Sequence, residues 1–168
     1  MSVKVRLLLD VDGVLNALSN FNNPSDLWTD WRVDIVDGFH ITWSPSVADF
    51  VRVVHDRGVD VQWLTTWGNR ANGQLRVTMH LPKFAVLGER GDGVEETWWK
   101  LVLIQAAYGS DGIPFVWIDD EIDYDLEATE WLGTLPPDQF LAVTPDSMTG
   151  IHPCDIERIC AFIDRWLD

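Results

Sequence analysis

Apolar positions along this chain fall into short runs that each end on a polar or acidic cluster. Val3 to Leu9 ends on Asp10-Val11-Asp12-Gly13, Val59 to Leu64 on Thr65-Thr66, Phe84 to Leu87 on Gly88, Pro114 to Ile118 on Asp119-Asp120, and Phe140 to Val143 on Thr144-Pro145. Such runs, bounded by turn residues, read as strands buried on both faces. Between them the apolar period becomes helical. Ser44-Pro45 sets an N-cap ahead of a proline at the first helical position, Val47, Phe50, Val51 and Val54 follow, and Gly58 closes the helix. Trp98 to Tyr108 is apolar around most of its circumference and reads as an interior helix ending at Gly109. After Pro153, a stripe of Ile156, Ile159, Cys160, Ile163, Trp166 and Leu167 predicts a last helix. Strands alternating with helices predict an α/β fold, a five-stranded parallel sheet flanked by helices.

Residues 17–43 break the alternation. Val33 to Val36 and Phe39 to Trp43 flank Asp37-Gly38, a strong two-residue hairpin signal, and Phe21 to Trp31 is rich in Asn, Asp, Ser and aromatics. The segment reads as a small lid insertion containing a β-hairpin, within one domain spanning residues 1–168.

Composition supports a single core. The chain has 168 residues, 46% apolar and 23% charged, which excludes collagen-like, coiled-coil and disordered classes. No apolar run approaches the roughly 20 residues of a membrane span, and the opening MSVKVRLLLDVDG reaches acids too early for a signal-peptide core. A soluble, cytoplasmic protein with no membrane partner is expected. Cys154 and Cys160 lie on one predicted helix facing different ways and cannot pair locally. Net charge is −15, and residues 101–157 hold 12 Asp and Glu with no Lys or Arg. Such a stretch cannot neutralise a run of phosphates, so no extended nucleic-acid surface is expected.

In parallel α/β sheets, ligands bind beyond the carboxyl ends of the strands. The residues there form a coherent set: Asp10 and Asp12 after the first strand, Thr65 and Thr66 after the second, Asp119 and Asp120 after the fourth. Lys100 opens the helix that precedes the fourth. Several carboxylates in one crevice repel one another unless a cation neutralises them, and an all-oxygen donor set without Cys or His favours Mg²⁺. Asp-x-Asp-Gly alone also reads as a turn. As chemistry, one carboxylate can attack phosphorus while the other protonates the leaving oxygen, with Gly13 allowing a close backbone approach. Thr65 and Thr66 could cap a helix or hold a phosphoryl oxygen. Lys100, set among Trp98, Trp99, Leu101 and Val102, needs a charged partner. The aromatics Phe21, Trp28, Trp31, Phe39, Trp43 and Trp67 could stack a nucleobase or pack among themselves, and His40 reads as a lid residue. Arg70, Asn69 and Asn72 could reach substrate from the next helix.

These motifs resemble those of the haloacid dehalogenase superfamily of phosphohydrolases: LLLDVDGVLN, VQWLTTW, Lys100 and FVWIDDEID, in that order across residues 5–123. More narrowly, the WSP, WLTTWGNRAN, VWIDDE and VTPDSMTGI segments look like the domain of that superfamily found in "Swiss Army Knife" RNA-repair proteins. The resemblance implies a Rossmann-like fold. It also implies Asp10 as the nucleophile that forms an aspartyl-phosphate, and Asp12 as general acid/base with its backbone carbonyl on the metal. Thr65 would bind the phosphoryl group, and Lys100 would steady both nucleophile and phosphoryl. Asp119 would ligate Mg²⁺, with Asp120 or Asp123 completing the site. Thr66, Gly13, Trp67 and Arg70 would line the substrate.

The expected activity is that of a Mg²⁺-dependent phosphatase acting on a compact phosphomonoester, such as a nucleotide or a nucleic-acid terminal phosphate. Two rivals stand beside it: a receiver-like module that accepts a phosphoryl group on Asp for signalling, and a non-catalytic metal- or ligand-binding domain.

Overall fold

The strand that carries the first acids is the centre of the molecule. In the computed structural model, which describes residues 4–19, 26–91 and 98–167, the elements in chain order are β1 (Arg6–Leu9), β2 (Arg32–Val36), β3 (Phe39–Trp43), α1 (Pro45–Asp56), β4 (Asp60–Trp63), α2 (Gln74–Thr78), β5 (Ala85–Val86), α3 (Trp99–Asp111), β6 (Phe115–Ile118), α4 (Leu126–Leu132), β7 (Phe140–Val143) and α5 (Pro153–Leu167). Five strands form one parallel sheet in the order β5-β4-β1-β6-β7. All four residues of β1 are buried because it has a strand on each side and helices above and below.

The period-two alternation of strand side chains divides the core into two layers. Leu7 and Leu9 of β1 join Val47, Val51 and Val54 of α1 and Ile159, Phe162 and Ile163 of α5 on one face. Leu8 points to the other, with Leu101 and Ile104 of α3 and Ala128 and Leu132 of α4. The α/β sheet flanked by helices is thus as expected. Chain direction across the sheet reverses beside β1: β4 and β5 extend it one way, β6 and β7 the other. The carboxyl ends of the neighbouring strands β1 and β6 therefore flank a switch point, where such sheets open a crevice.

The hairpin of β2 and β3 is antiparallel, and its turn residues Asp37 and Gly38 both have positive φ, 50° and 85°, as a type I′ turn requires. Val36, Ile41 and Trp43 of the hairpin belong to the same apolar cluster as α1 and α5. Ser44 caps α1 as predicted, and Asp30 reaches the same terminus, accepting hydrogen bonds from the Ser44 hydroxyl and the Ser46 backbone at 2.7 and 2.8 Å. Those bonds outweigh the effect of burial and lower the Asp30 pKa. Phe21 lies outside the described residues.

Two helical expectations are corrected. Helix α3 continues through Gly109 to Asp111, and it is Gly112 that takes the left-handed cap at φ 63°. It is also not an interior helix: it buries Trp99, Lys100, Leu101 and Ile104 and leaves Val102 44% exposed. After β4 the chain makes a 3-10 turn at Gly68–Asn72 before the five-residue α2, so Asn69, Arg70 and Asn72 sit on that turn. Cys154 and Cys160 both lie on α5 and are unpaired. Among the described residues, no helix is long and apolar enough to cross a membrane.

Candidate active site

Parallel register delivers the acids to one place. Leu9 of β1 pairs with Ile118 of β6, so Asp10 and Asp119 leave the sheet side by side, and the Asp10 N–H donates to the Ile118 carbonyl at 3.2 Å. Both side chains are buried, Asp119 completely. Lys100, in the first turn of α3 and 2% exposed, donates from Nζ to Asp10 Oδ2 at 2.6 Å and to Asp119 Oδ2 at 2.5 Å. Its ammonium also stands 5.6 Å from the ring centre of Trp98 and 5.9 Å from that of Trp99. Two of the apolar neighbours noted in the sequence, Trp98 and Trp99, thus stand beside the ion pair.

Asp120 completes the group: Asp10, Asp119 and Asp120 each offer a carboxylate oxygen within 4.8 Å of the others, a set that could hold a metal ion. One ammonium among three carboxylates leaves an excess of two negative charges, and titration reflects it. Burial opposes charge on Lys100, but Asp10 and Asp119 outweigh it and hold the Lys100 pKa above its usual value. Burial, then the charge of Asp10, pushes Asp119 up to about 7. The same two causes push Asp120 up to about 6. A hard divalent cation suits this donor set, since every available ligand is a carboxylate oxygen. Asp123 is exposed and not one of the trio, but it lines an acidic cleft that Asp120 also lines, with Glu121, Tyr124 and Asp146.

Gly13 serves this cluster in a way the sequence reading did not anticipate. Its φ is +74°, and a Cβ there would lie 2.3 Å from Asp120 Oδ2. The space a side chain would take is filled by the Asp120 carboxylate, so the missing side chain of Gly13 admits Asp120 to the loop.

Asp12 occupies a different environment. Its Oδ1 accepts from Asn16 Nδ2 at 2.8 Å and its Oδ2 from Trp67 Nε1 at 2.9 Å. Asn16 is buried, and its Oδ1 accepts the Thr42 N–H of β3 at 2.9 Å. A single amide therefore ties Asp12 to the hairpin. Asn16 is the functional residue that sequence reasoning missed; its spacing of four from Asp12 is a local signal, but its second partner is 26 residues away.

Thr65 follows β4, which neighbours β1, and is 1% exposed. Its hydroxyl accepts the Trp67 N–H at 3.3 Å, which fixes the loop that carries Thr66 and Trp67 past the cluster. Two clefts flank Trp67. One, of about 400 Å³, runs between Asp12, Phe39 of the hairpin, Thr66 and Arg70. The other, of about 440 Å³, lies over Thr65, Thr66, Arg70 and Arg90. His40 lines the first. Asn72 is corrected from a substrate contact to a structural one, because its amide bonds Trp63 Nε1, the Phe84 backbone and Asn69.

Fold and site together define an α/β protein with a buried carboxylate–lysine centre at the carboxyl edge of its sheet. No family model and no curated protein matches the chain.

Proposed function

We propose that this protein is a Mg²⁺-dependent phosphomonoesterase of the haloacid dehalogenase type, working through an aspartyl-phosphate on Asp10. One observation carries the reading: Lys100 bridges Asp10 and Asp119 while Asp120 closes a carboxylate trio, at the strand ends where this sheet forms its crevice. Asp10, Asp119 and Asp120, with the backbone carbonyl of Asp12, would hold the metal. Bound there, Mg²⁺ neutralises charge on the phosphoryl oxygens and lets the anionic substrate approach the acids.

The chain's own groups divide the remaining work. A carboxylate oxygen of Asp10 attacks phosphorus, the bond from phosphorus to the leaving oxygen breaks, and Asp12 delivers a proton to that oxygen, releasing the alcohol. Water then attacks the phosphorus of the aspartyl-phosphate, its proton passes to Asp12, and the phosphorus–Asp10 bond breaks to release inorganic phosphate. Lys100 orients Asp10 and offsets its charge in both steps, and the Thr65–Thr66 loop donates to phosphoryl oxygens. With each oxygen accepting one N–H, the Asp12 carboxylate is held in a set direction and keeps a further lone pair on each oxygen through which the proton can pass. The segment around β2 and β3 acts as the lid over this chemistry.

The test is release of phosphate from p-nitrophenyl phosphate, nucleoside monophosphates and 3′- or 5′-phosphorylated oligonucleotides, with and without Mg²⁺, for the wild type and Asp10→Asn. Turnover that needs Mg²⁺ and vanishes in Asp10→Asn, with the fold intact, is expected. Equal turnover in the variant removes Asp10 from the reaction. A wild-type phosphoprotein that accumulates without turnover supports a receiver module instead, although the place of Lys100 in the first turn of a helix rather than after a strand speaks for hydrolysis.

A further inference from the structure

The two clefts beside Trp67 differ in what they can contact, and that difference bears on the substrate. If the phosphomonoesterase reading holds, attack by Asp10 sends the leaving oxygen away from the buried cluster and toward Asp12. The alcohol half of the substrate then occupies the cleft whose wall contains Asp12, Phe39, Trp67 and Arg70. Its volume of about 400 Å³ lies within the usual range for small-molecule sites. Phe39, on the hairpin, is 55% exposed and meets Trp67 in a T-shaped contact with ring centres 5.8 Å apart, so over half of it remains open to a flat group.

Arg70 supplies the second half of the argument. Its guanidinium lies over the Trp67 ring at 5.5 Å, and among the described residues no carboxylate pairs with it. Arg32, Arg76, Arg90 and Arg165 likewise have no carboxylate partner among the described residues, but Arg70 alone of these lines the cleft that also holds Asp12 and Phe39. Among the described residues, the one carboxylate lining the neighbouring cleft, that of Glu89, accepts the Asn69 N–H at 3.0 Å. A contact with the ring face fixes the guanidinium plane while leaving its edge N–H groups free to grip a planar or tetrahedral anion. Arg70 also lines both clefts, and Arg90 lines the second.

We infer that the cleft between the hairpin and Trp67 is a leaving-group subsite selective for alcohols that carry a flat ring and a second phosphate, with Phe39 receiving the ring and Arg70 the second phosphate. Chemically these are nucleotides bearing phosphate at two positions, whether a free nucleoside bisphosphate or the terminal nucleotide of a nucleic acid. The acidic stretch at 101–157 accords with contact at an end rather than along a strand.

The experiment measures kcat/KM of the full chain with Mg²⁺ on p-nitrophenyl phosphate, nucleoside 3′- and 5′-monophosphates, nucleoside 3′,5′-bisphosphates and terminally phosphorylated dinucleotides. A second phosphate should raise kcat/KM about 10-fold over the matching monophosphate, chiefly through KM. Arg70→Gln should erase that gain and Arg70→Lys retain part of it, while Phe39→Ala should lower nucleotides relative to p-nitrophenyl phosphate. Arg70 is exposed, so none of these changes disturbs the core. Preference for the bisphosphate or for the dinucleotide tells the free from the polymer-borne source. Turnover of p-nitrophenyl phosphate with no gain from a second phosphate, or a gain that survives Arg70→Gln, overturns the inference and leaves the hydrolase intact. No turnover of any substrate sinks the hydrolase reading itself.

Discussion

The two aspartates of the Asp10-Val11-Asp12 turn sit two residues apart and live under different rules. Asp10 is buried among charges, held by the Lys100 ammonium and crowded by Asp119 and Asp120. Among the described residues, Asp12 is held by neutral N–H donors, from Asn16 and Trp67, beside a cleft that mixes aromatic and apolar side chains with Thr66 and Arg70. One side of the turn is a fixed electrostatic site belonging to β1, β6 and α3; the other is a hydrogen-bonded site shared with the hairpin. The contrast is that between a group whose charge must be balanced and a group whose direction must be set, and it is what a nucleophile and a proton carrier need from their surroundings.

The sharpest way to break the charged side is Lys100→Met. Hydrophobic volume is kept, but Asp10 and Asp119 lose the ammonium that bridges them, with Asp120 beside them. Loss of turnover by about 10²–10³-fold is expected, the cost of removing one preorganised charge. Removing one partner of a buried ion pair destabilises by about 3–5 kcal/mol, and the effect should shrink at pH 5.5, where Asp119 and Asp120 take up protons. Urea titrations at pH 5.5 and 8 check it; a loss of stability that is equal at both values removes charge as the cause.

A second test needs no mutation. Asp119 and Asp120 have folded-state pKa values of about 7 and about 6, above the ordinary carboxylate value. The folded protein thus holds protons that the unfolded chain releases. The resulting stabilisation is full below about pH 4 and is lost as pH rises through 6 and 7. Without divalent metal, Tm should fall between pH 5 and 8, and saturating Mg²⁺ should raise Tm more at pH 8 than at pH 5. Calorimetric scans with chelator and with Mg²⁺ decide it; a metal-free Tm that climbs over this range contradicts the buried cluster.

What the chain revealed in advance follows the same division. Strand ends, the Asp37-Gly38 turn and the Ser44 cap are local patterns, and each formed where its pattern lay. The charged side was legible too: a lysine set among tryptophans and acids at strand ends admit few resolutions, because buried charge must find opposite charge. Arg6 obeys the same rule, pairing Asp60 and Asp111 at 3.2 and 2.9 Å from inside an apolar run. The hydrogen-bonded side was not legible. Trp67 reads as an aromatic, yet it is its indole N–H that reaches Asp12, 55 residues away. Asn72 reads as a polar residue near a site, yet it satisfies Trp63 and Phe84. Neutral donors and acceptors have many possible partners, and only the folded backbone selects among them. Gly109 misled because two glycines were available to close the helix, and the folded backbone takes the left-handed conformation at the second, Gly112.

The smallest expected effect probes the hydrogen-bonded side alone. Asn16→Ala removes the donor to Asp12 Oδ1 and leaves the buried Thr42 N–H without its acceptor, so stability should drop by about 1–3 kcal/mol. Trp67 still holds the other oxygen of Asp12, so the carboxylate remains in place but free to swing. If its direction matters for protonating the leaving oxygen, kcat should fall about 10-fold on alkyl phosphates and much less on p-nitrophenyl phosphate, whose leaving group needs little proton assistance. KM should change less than kcat, because the Asn16 amide is spent on Asp12 and the Thr42 N–H, while Phe39 and Arg70 of the same cleft are untouched. Asn16→Ser, which keeps a shorter donor and acceptor, should recover part of the alkyl-phosphate rate. A loss equal across leaving groups, unrelieved by serine, would mean that the amide serves the hairpin's attachment only and that Asp12 takes its direction from Trp67.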